Sequence, residues 1–469
     1  MFQAILHLQG KIMNILTKSE NKEKTKDYLF TNKALFILIL PLIVEQFLAI
    51  LVGMADSIMI ASVGEAAVSG VSLVDSLMLL LINIFAALAT GGAVVAGQYL
   101  GKRDRDNACE ASNQLVWFIT IIATAVMILV YVLKKFILTT VFGSIDADVM
   151  GHANTYLLIV SASIPFIALY NSGAAIFRSM GNSKVSMMVS ILMNLINVVG
   201  NAILIYGFHF GTAGVAIPTL LSRIVAAIVI TILLLNKNVT LHIKKSFKYK
   251  PDFHMIKSIL YIGVPNGLEN SMFQLGKIIV LSLVSTFGTY AIAANAVSNV
   301  VAAFQILSGM AVSLAVTTVI SRCAGAGEYE QARYYTKKLL KITYVCIALF
   351  VGIIVLLLPV IMNAYNLSDM TSNEATKILL FHGCFAMIVW PLAFTLPATL
   401  RASGDVKYCM ITSISSMWIC RIIFSYIFGK YMGFGVFGVW MAMIMDWVIR
   451  AIFFIIRYRS PKWEDKQVV

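Results

Sequence analysis

Apolar residues run through this chain in blocks of membrane length, each closed by a short polar and often basic segment. About 20 mostly apolar residues cross a bilayer as a helix, because lipid offers an open backbone no hydrogen-bond partner. On that measure the pattern predicts twelve spans, at about 34–60, 67–98, 108–133, 150–177, 184–208, 211–235, 256–284, 289–321, 332–362, 374–400, 406–429 and 434–457. The fold class expected is an all-α polytopic membrane protein.

The pattern is also written twice, about 224 residues apart. Gly97-Gln98-Tyr99-Leu100-Gly101-Lys102-Arg103-Asp104 returns as Ser321-Arg322-Cys323-Ala324-Gly325-Ala326-Gly327-Glu328, with Ala108 and Ala332 following. The same shift carries Pro41 and Glu45 onto Pro265 and Glu269, Gly64 onto Gly288, and Gly211 and Gly214 onto Gly435 and Gly438. One residue less carries Arg178, Gly181 and Lys184 onto Arg401, Gly404 and Lys407. Two pseudo-symmetric six-helix bundles follow. We expect an N-terminal tail over 1–33, an N-lobe over 34–235, a linker over 236–255, a C-lobe over 256–457 and a C-terminal tail over 458–469. Repeats of this kind build many membrane transporters, in which one repeat moves against the other.

Composition agrees: 59% of the residues are hydrophobic and 12% charged, against roughly 25% charged in soluble domains. The net charge of +14 would suggest nucleic acid in a soluble protein, but topology explains it here. Only Lys134, Lys135, Lys377 and Lys430 fall in one set of loops, and Arg223, Lys277, Arg421 and Arg450 lie within spans. The rest of the 36 Lys and Arg gather at the tails and in the other loops. By the positive-inside rule those loops and both termini are cytoplasmic, in a multi-pass protein of the cell membrane. The apolar start of the tail is interrupted by Gln3, His7 and Gln9, so it does not read as a signal peptide. The six cysteines show no CxxC pairing, and no Walker loop, HExxH or GxSxG occurs. The chain is therefore not read as an enzyme, and no cofactor is expected.

Ionisable residues inside spans cost about 2.5–3.5 kcal/mol on insertion scales and are functional candidates by default. Asp446 and Arg450, four apart, can neutralise each other. Asp75 reads as solvated near the outer interface. Asp56 has company: Asn197 and Asn201 share one face of span 5, and Thr219 lies as far after the 5/6 turn as Asn201 lies before it. At 1.5 Å per residue these groups meet roughly 13 Å below that turn, and Asp56 is also in the outer half. One carboxylate, two amides and a hydroxyl suit a hard monovalent cation; the carboxylate could equally carry a proton, and the amides could be packing glue. The repeat favours a site, because the second-half counterparts are Val280, Cys420, Phe424 and Met443. Glu45 and Glu269, each four residues after a helix proline, either line a cavity for cationic substrate or fix a kink. Gln46, Asn83 and Asn171 are further candidates for a polar cavity lining.

Over nearly all of 31–460 the chain resembles the multidrug and toxic-compound extrusion (MATE) family. The resemblance rests on Pro41, on Val52-Gly53-Met54-Ala55-Asp56-Ser57-Ile58-Met59-Ile60-Ala61, and on the repeated Gly97–Ala108 loop. It rests also on the turns Arg178-Ser179-Met180-Gly181-Asn182 and Arg401-Ala402-Ser403-Gly404-Asp405, and on Gly211 to Thr219. It implies twelve helices in two bundles around a V-shaped cavity, exporting organic cations, drugs or toxic metabolites in exchange for Na⁺ or H⁺. It places the N-lobe cation site on Asp56, Asn197, Asn201 and Thr219. Some members carry an aspartate where this chain has Asn201, and span 10 lacks the acid that a C-lobe site would need. The alternative is a lipid-linked glycan flippase of the same broader superfamily, whose cavity would be cationic; Lys277, Arg223 and Arg421 are its candidates. Partners expected are the bilayer and small organic cations, not nucleic acid, with the chain a monomer.

Overall fold

A computed structural model describes residues 28–143, 146–245 and 249–469. The tail expected over 1–33 lies outside the described residues as far as position 27.

The helices are α1 Asn32–Ala61, α2 Glu65–Gly101, α3 Arg105–Val132, α4 in two pieces, Ala147–Ser161 and Ile164–Ser179, α5 Ser183–Gly207, and α6 Ala213–Leu234. They continue as α7 Phe253–Ser285, α8 Thr289–Gly325, α9 Tyr329–Tyr365, α10 in two pieces, Asp369–Ile388 and Pro391–Ala402, α11 Val406–Tyr431, and α12 Gly435–Arg459. Eleven are apolar enough to cross a membrane if each bent pair is one span. The twelfth, α7, has 33 residues but carries Glu269, Asn270 and Lys277 in its run. Among the described residues there is no strand. The sequence pattern treats spans 4 and 10 as continuous, whereas α4 bends by 48° and α10 by 58°. Pro165 and Pro391, just past the two breaks, lack the N–H that would continue the ladder.

Side chains close the helix starts at the basic loops. Thr31 accepts from the Ala34 amide at 3.2 Å, and Asp104 accepts from the Asn107 amide at 3.1 Å. The bonds from Asn107 hold the Asp104 carboxyl below the usual carboxylate range. One apolar core fills the first half and another the second. The opening turns of α1 and α7 cross over between halves. Leu35, Leu38 and Leu42 pack with Val312, Val316 and Ile320 of α8, while Met255, Ile259 and Ile262 of α7 join the core of the first half.

At the basic end the two copies of the glycine segment lock together about a pseudo-twofold axis. A Cβ on Gly101 would strike the backbone of Arg322, and a Cβ on Gly325 would strike the backbone of Gln98. Gln98 and Arg322 are themselves equivalent positions of the repeat. Each also reaches across: Gln98 Nε2 donates to the Ala402 carbonyl at 3.0 Å, and the Arg322 guanidinium donates to the Ser179 carbonyl at 2.8 and 3.1 Å. Only glycine lets backbones approach this closely. The C-terminal tail lies on the same seam, with the Val468 amide donating to Gln98 Oε1 at 3.1 Å and Trp463 fully buried.

Away from that end the packing between the halves loosens. A Cβ on Gly91 of α2 would meet the Ile259 carbonyl at 2.7 Å, and one on Gly263 of α7 would meet Leu88 Cδ2 at 2.9 Å. One turn further along α7, a Cβ on Gly267 would come no closer than 3.8 Å to Ala87. α2 and α7 therefore pack most closely toward the basic end and loosen further along.

Candidate functional site

Asp56 sits on the last third of α1, five residues before its end. Asn201 Nδ2 donates to Asp56 Oδ1 at 2.7 Å and lies 3.5 Å from Asn197 Oδ1, while Asn197 Nδ2 donates to Thr219 Oγ1 at 3.0 Å. The four residues singled out by depth thus form one chain of contacts across α1, α5 and α6. Asn197, Asn201 and Thr219 are buried, and Asn201 Oδ1 is buried without a partner. Two causes put them there. The four-residue spacing stacks the asparagines on one face of α5. Pro218 packs into the space left by Gly200 and brings α6 against α5.

Asp56, Asn197 and Thr219 line a cavity of about 400 Å³ that also takes in Asp75, Tyr156, Asn194, Ser222 and Arg223, with Asn201 buried behind Asp56. Asp75 accepts from the Tyr156 hydroxyl at 2.9 Å, and Arg223 donates to Ser163 Oγ at 2.7 Å. Asp75, read from the sequence as a solvated interfacial residue, instead shares the cavity of Asp56. Tyr156 was not picked out by spacing at all. The formal charge of this lining, two carboxylates against one guanidinium, is one negative.

Glu45 and Glu269 are buried, and each has an arginine partner that the repeat also duplicates. Arg178 lies 3.5 Å from Glu45, which accepts as well from the Ser186 hydroxyl at 2.9 Å, and Arg401 lies 2.6 Å from Glu269. Glu269 also borders a cavity of about 460 Å³ in the second half. Gln46, Asn83 and Asn171 are half-buried on α1, α2 and α4, and Asn171 buries an amide nitrogen without a partner. Asp446 and Arg450 pair at 2.9 Å, with the Ser416 hydroxyl donating to the same carboxylate. Arg421 lies near them and forms no ion pair among the described residues. Among the described residues no cluster of His, Cys, Asp and Glu could hold a metal ion.

The MatE family model matches residues 41–203 and again 265–427, one match in each half. The uncharacterized transporter YisQ of Bacillus subtilis is 29% identical over 464 residues, covering 96% of this chain and 98% of YisQ. The Thermotoga maritima protein NorM, described as a probable multidrug resistance protein, is 26% identical with 97% of each chain covered. A solved structure described as the outward-facing conformation of a multidrug resistance MATE family transporter superposes with a TM-score of 0.85 at 22% identity. It covers 92% of this chain and 96% of its own. The double bundle with its closed basic end is thus a multi-pass transporter fold and not that of an enzyme. The chain belongs to the MATE family of multidrug efflux transporters.

Proposed function

We propose that this transporter is a secondary antiporter that exports organic cations, drugs or toxic metabolites in exchange for Na⁺ or H⁺, coupled at the N-lobe site around Asp56. It works as a monomer in the cell membrane with both termini cytoplasmic. The observation that carries the reading is the Asp56–Asn201–Asn197–Thr219 chain of contacts on an acidic cavity, together with its erasure at Val280, Cys420, Phe424 and Met443 in the repeat. The positive-inside rule sets the closed, basic end in the cytoplasm, so the open end faces out.

In that orientation a coupling cation arrives from outside at Asp56, drawn by an inside-negative potential worth about 2.3 kcal/mol per charge per 100 mV. Its charge neutralises the carboxylate, and Asn197, Asn201 and Thr219 supply oxygen ligands for Na⁺. Neutral Asp56 no longer holds a substrate cation in the same cavity, and α1, already short of a ladder bond at Pro41, is free to repack. Substrate leaves outward. The halves then rock about the Gly101–Arg322 and Gly325–Gln98 seam to open the basic end. Two cations that exclude each other at one carboxylate give exchange with no further device.

The test is efflux of ethidium from proteoliposomes under a Na⁺ gradient and, separately, a pH gradient, with Asp56→Asn in parallel. Efflux should follow one gradient and vanish in the variant. If neither gradient drives efflux, antiport is wrong. A lipid-flipping assay then takes up the flippase alternative, which draws on Lys277 and Arg421 in the second cavity and is opposed by Asp56 and Asp75 in the first.

A further inference from the structure

The cavity of the second half holds more positive charge than its neighbours compensate. Lys277, Arg401, Arg421 and Arg450 all border it. Glu269 answers Arg401 at 2.6 Å, and Asp446 answers Arg450 at 2.9 Å. Among the described residues no carboxylate forms an ion pair with the other two. Arg421 is 8% exposed, and its Nε is buried without a hydrogen-bond partner. Lys277 reaches the same space, and its ammonium stands 5.1 Å from the centre of the Phe273 ring, with the Arg421 guanidinium 5.3 Å from that ring.

A buried cation without a paired carboxylate is among the costlier groups a membrane protein can hold. Packing of the fold does not demand it: at the equivalent positions of the first half stand Gly53 and Val198. The backbone differs there too. α11 runs in wide, π-type turns from Ser416 to Ile423, around Arg421, while α5 is regular from Ser183 to Ala202. Such turns gather at functional sites. Trp390, Trp440 and Trp447 wall the cavity with aromatic surface, and its volume of about 460 Å³ is in the range of small-molecule sites.

We propose that this cavity is a binding site for aromatic organic anions, with Lys277 and Arg421 receiving the carboxylate and the tryptophans the ring. A guanidinium takes a carboxylate through two parallel N–H donors, and an ammonium adds a third. Flat aromatic surface takes the ring face or edge. The site goes beyond cation exchange at Asp56 and does not depend on it, since binding needs no gradient and no movement of the halves.

The experiment is tryptophan quenching of the full chain in detergent, titrated with 4-nitrobenzoate, with its methyl ester and with chloride. The acid should quench saturably and the ester should bind at least about tenfold more weakly, the loss expected when a charge-assisted contact is removed. Arg421→Gln and Lys277→Gln should each weaken the acid by about fivefold or more while leaving the ester unchanged. Gel filtration checks that each variant is folded. Lys277, which is accessible from the cavity, carries the test if the Arg421 variant fails to fold. Equal binding of acid and ester, wild-type affinity in both variants, or full displacement of the acid by equimolar chloride would overturn the proposal.

Discussion

Around Asp56 the first half gathers two carboxylates, one guanidinium, two asparagines and a threonine at or just behind its cavity. At the matching depth the second half presents Val280, Cys420, Phe424 and Met443, and its own cavity is bordered by tryptophans and two unanswered cations. Helices, bends and seam contacts are nevertheless shared. Arg178–Glu45 is repeated as Arg401–Glu269, and Gly101 against Arg322 is repeated as Gly325 against Gln98. What the repeat keeps is the set of contacts through which the two bundles meet. What it drops is the polarity of the cavities, where the proposed ligand sites lie.

The comparison breaks most severely at the shared seam. Leucine at Gly101 or Gly325 would drive a side chain into the facing backbone, and overpacking of this kind costs about 1–3 kcal/mol. Closure of the basic end should weaken by roughly five- to a hundredfold. Distances between spin labels on α2 and α8 at the basic end should then show the open form dominating. If both variants keep the wild-type distances, the glycine seam does not hold the closed end. Neutralising one member of the duplicated ion pairs is expected to be of similar size. Glu269→Gln strands Arg401 and Glu45→Gln strands Arg178, each expected to cost about 3 kcal/mol. Thermal unfolding of the purified protein should fall for both, and Glu269→Gln with Arg401→Gln together should recover part of the loss.

The smaller effects sharpen the contrast between cavities. Thr219→Met installs the residue that the second half carries and removes one oxygen from the Asp56 cluster. Its affinity for the coupling cation should fall about tenfold with little change in unfolding temperature. Tyr156→Phe removes a single bond to Asp75, worth about 1 kcal/mol, so efflux should drop no more than about fivefold. A loss as large as that of Asp56→Asn would put Asp75, not Asp56, at the centre of coupling.

Much of this was legible in the order of residues. Span length and the repeat gave the helices, and distances from the 5/6 turn brought Thr219 within a turn of Asn201, although its bonded partner is Asn197. Periodicity carries no azimuth, however. It could not turn Asp75 toward Asp56, or show that Glu45 and Glu269 would each meet an arginine more than a hundred positions away. Nor could it give the bends of α4 and α10, which proline permits without fixing their angle. The unanswered cations had a signal in the sequence: Lys277 and Arg421 stand opposite Gly53 and Val198 in the repeat. The same comparison that picked out Asp56 by what the second half lacks picks out Lys277 and Arg421 by what it gains.

The central claim is that one carboxylate, Asp56, holds either a coupling cation or a substrate cation and never both. Equilibrium binding of tetraphenylphosphonium to the purified protein tests it without transport, measured against rising Na⁺ at fixed pH and against falling pH without Na⁺. Apparent affinity should fall at least about tenfold along one of the two titrations, equivalent to some 1.4 kcal/mol of exclusion, and Asp56→Asn should respond to neither. Substrate binding indifferent to both ions, or exclusion that survives in Asp56→Asn, would contradict it.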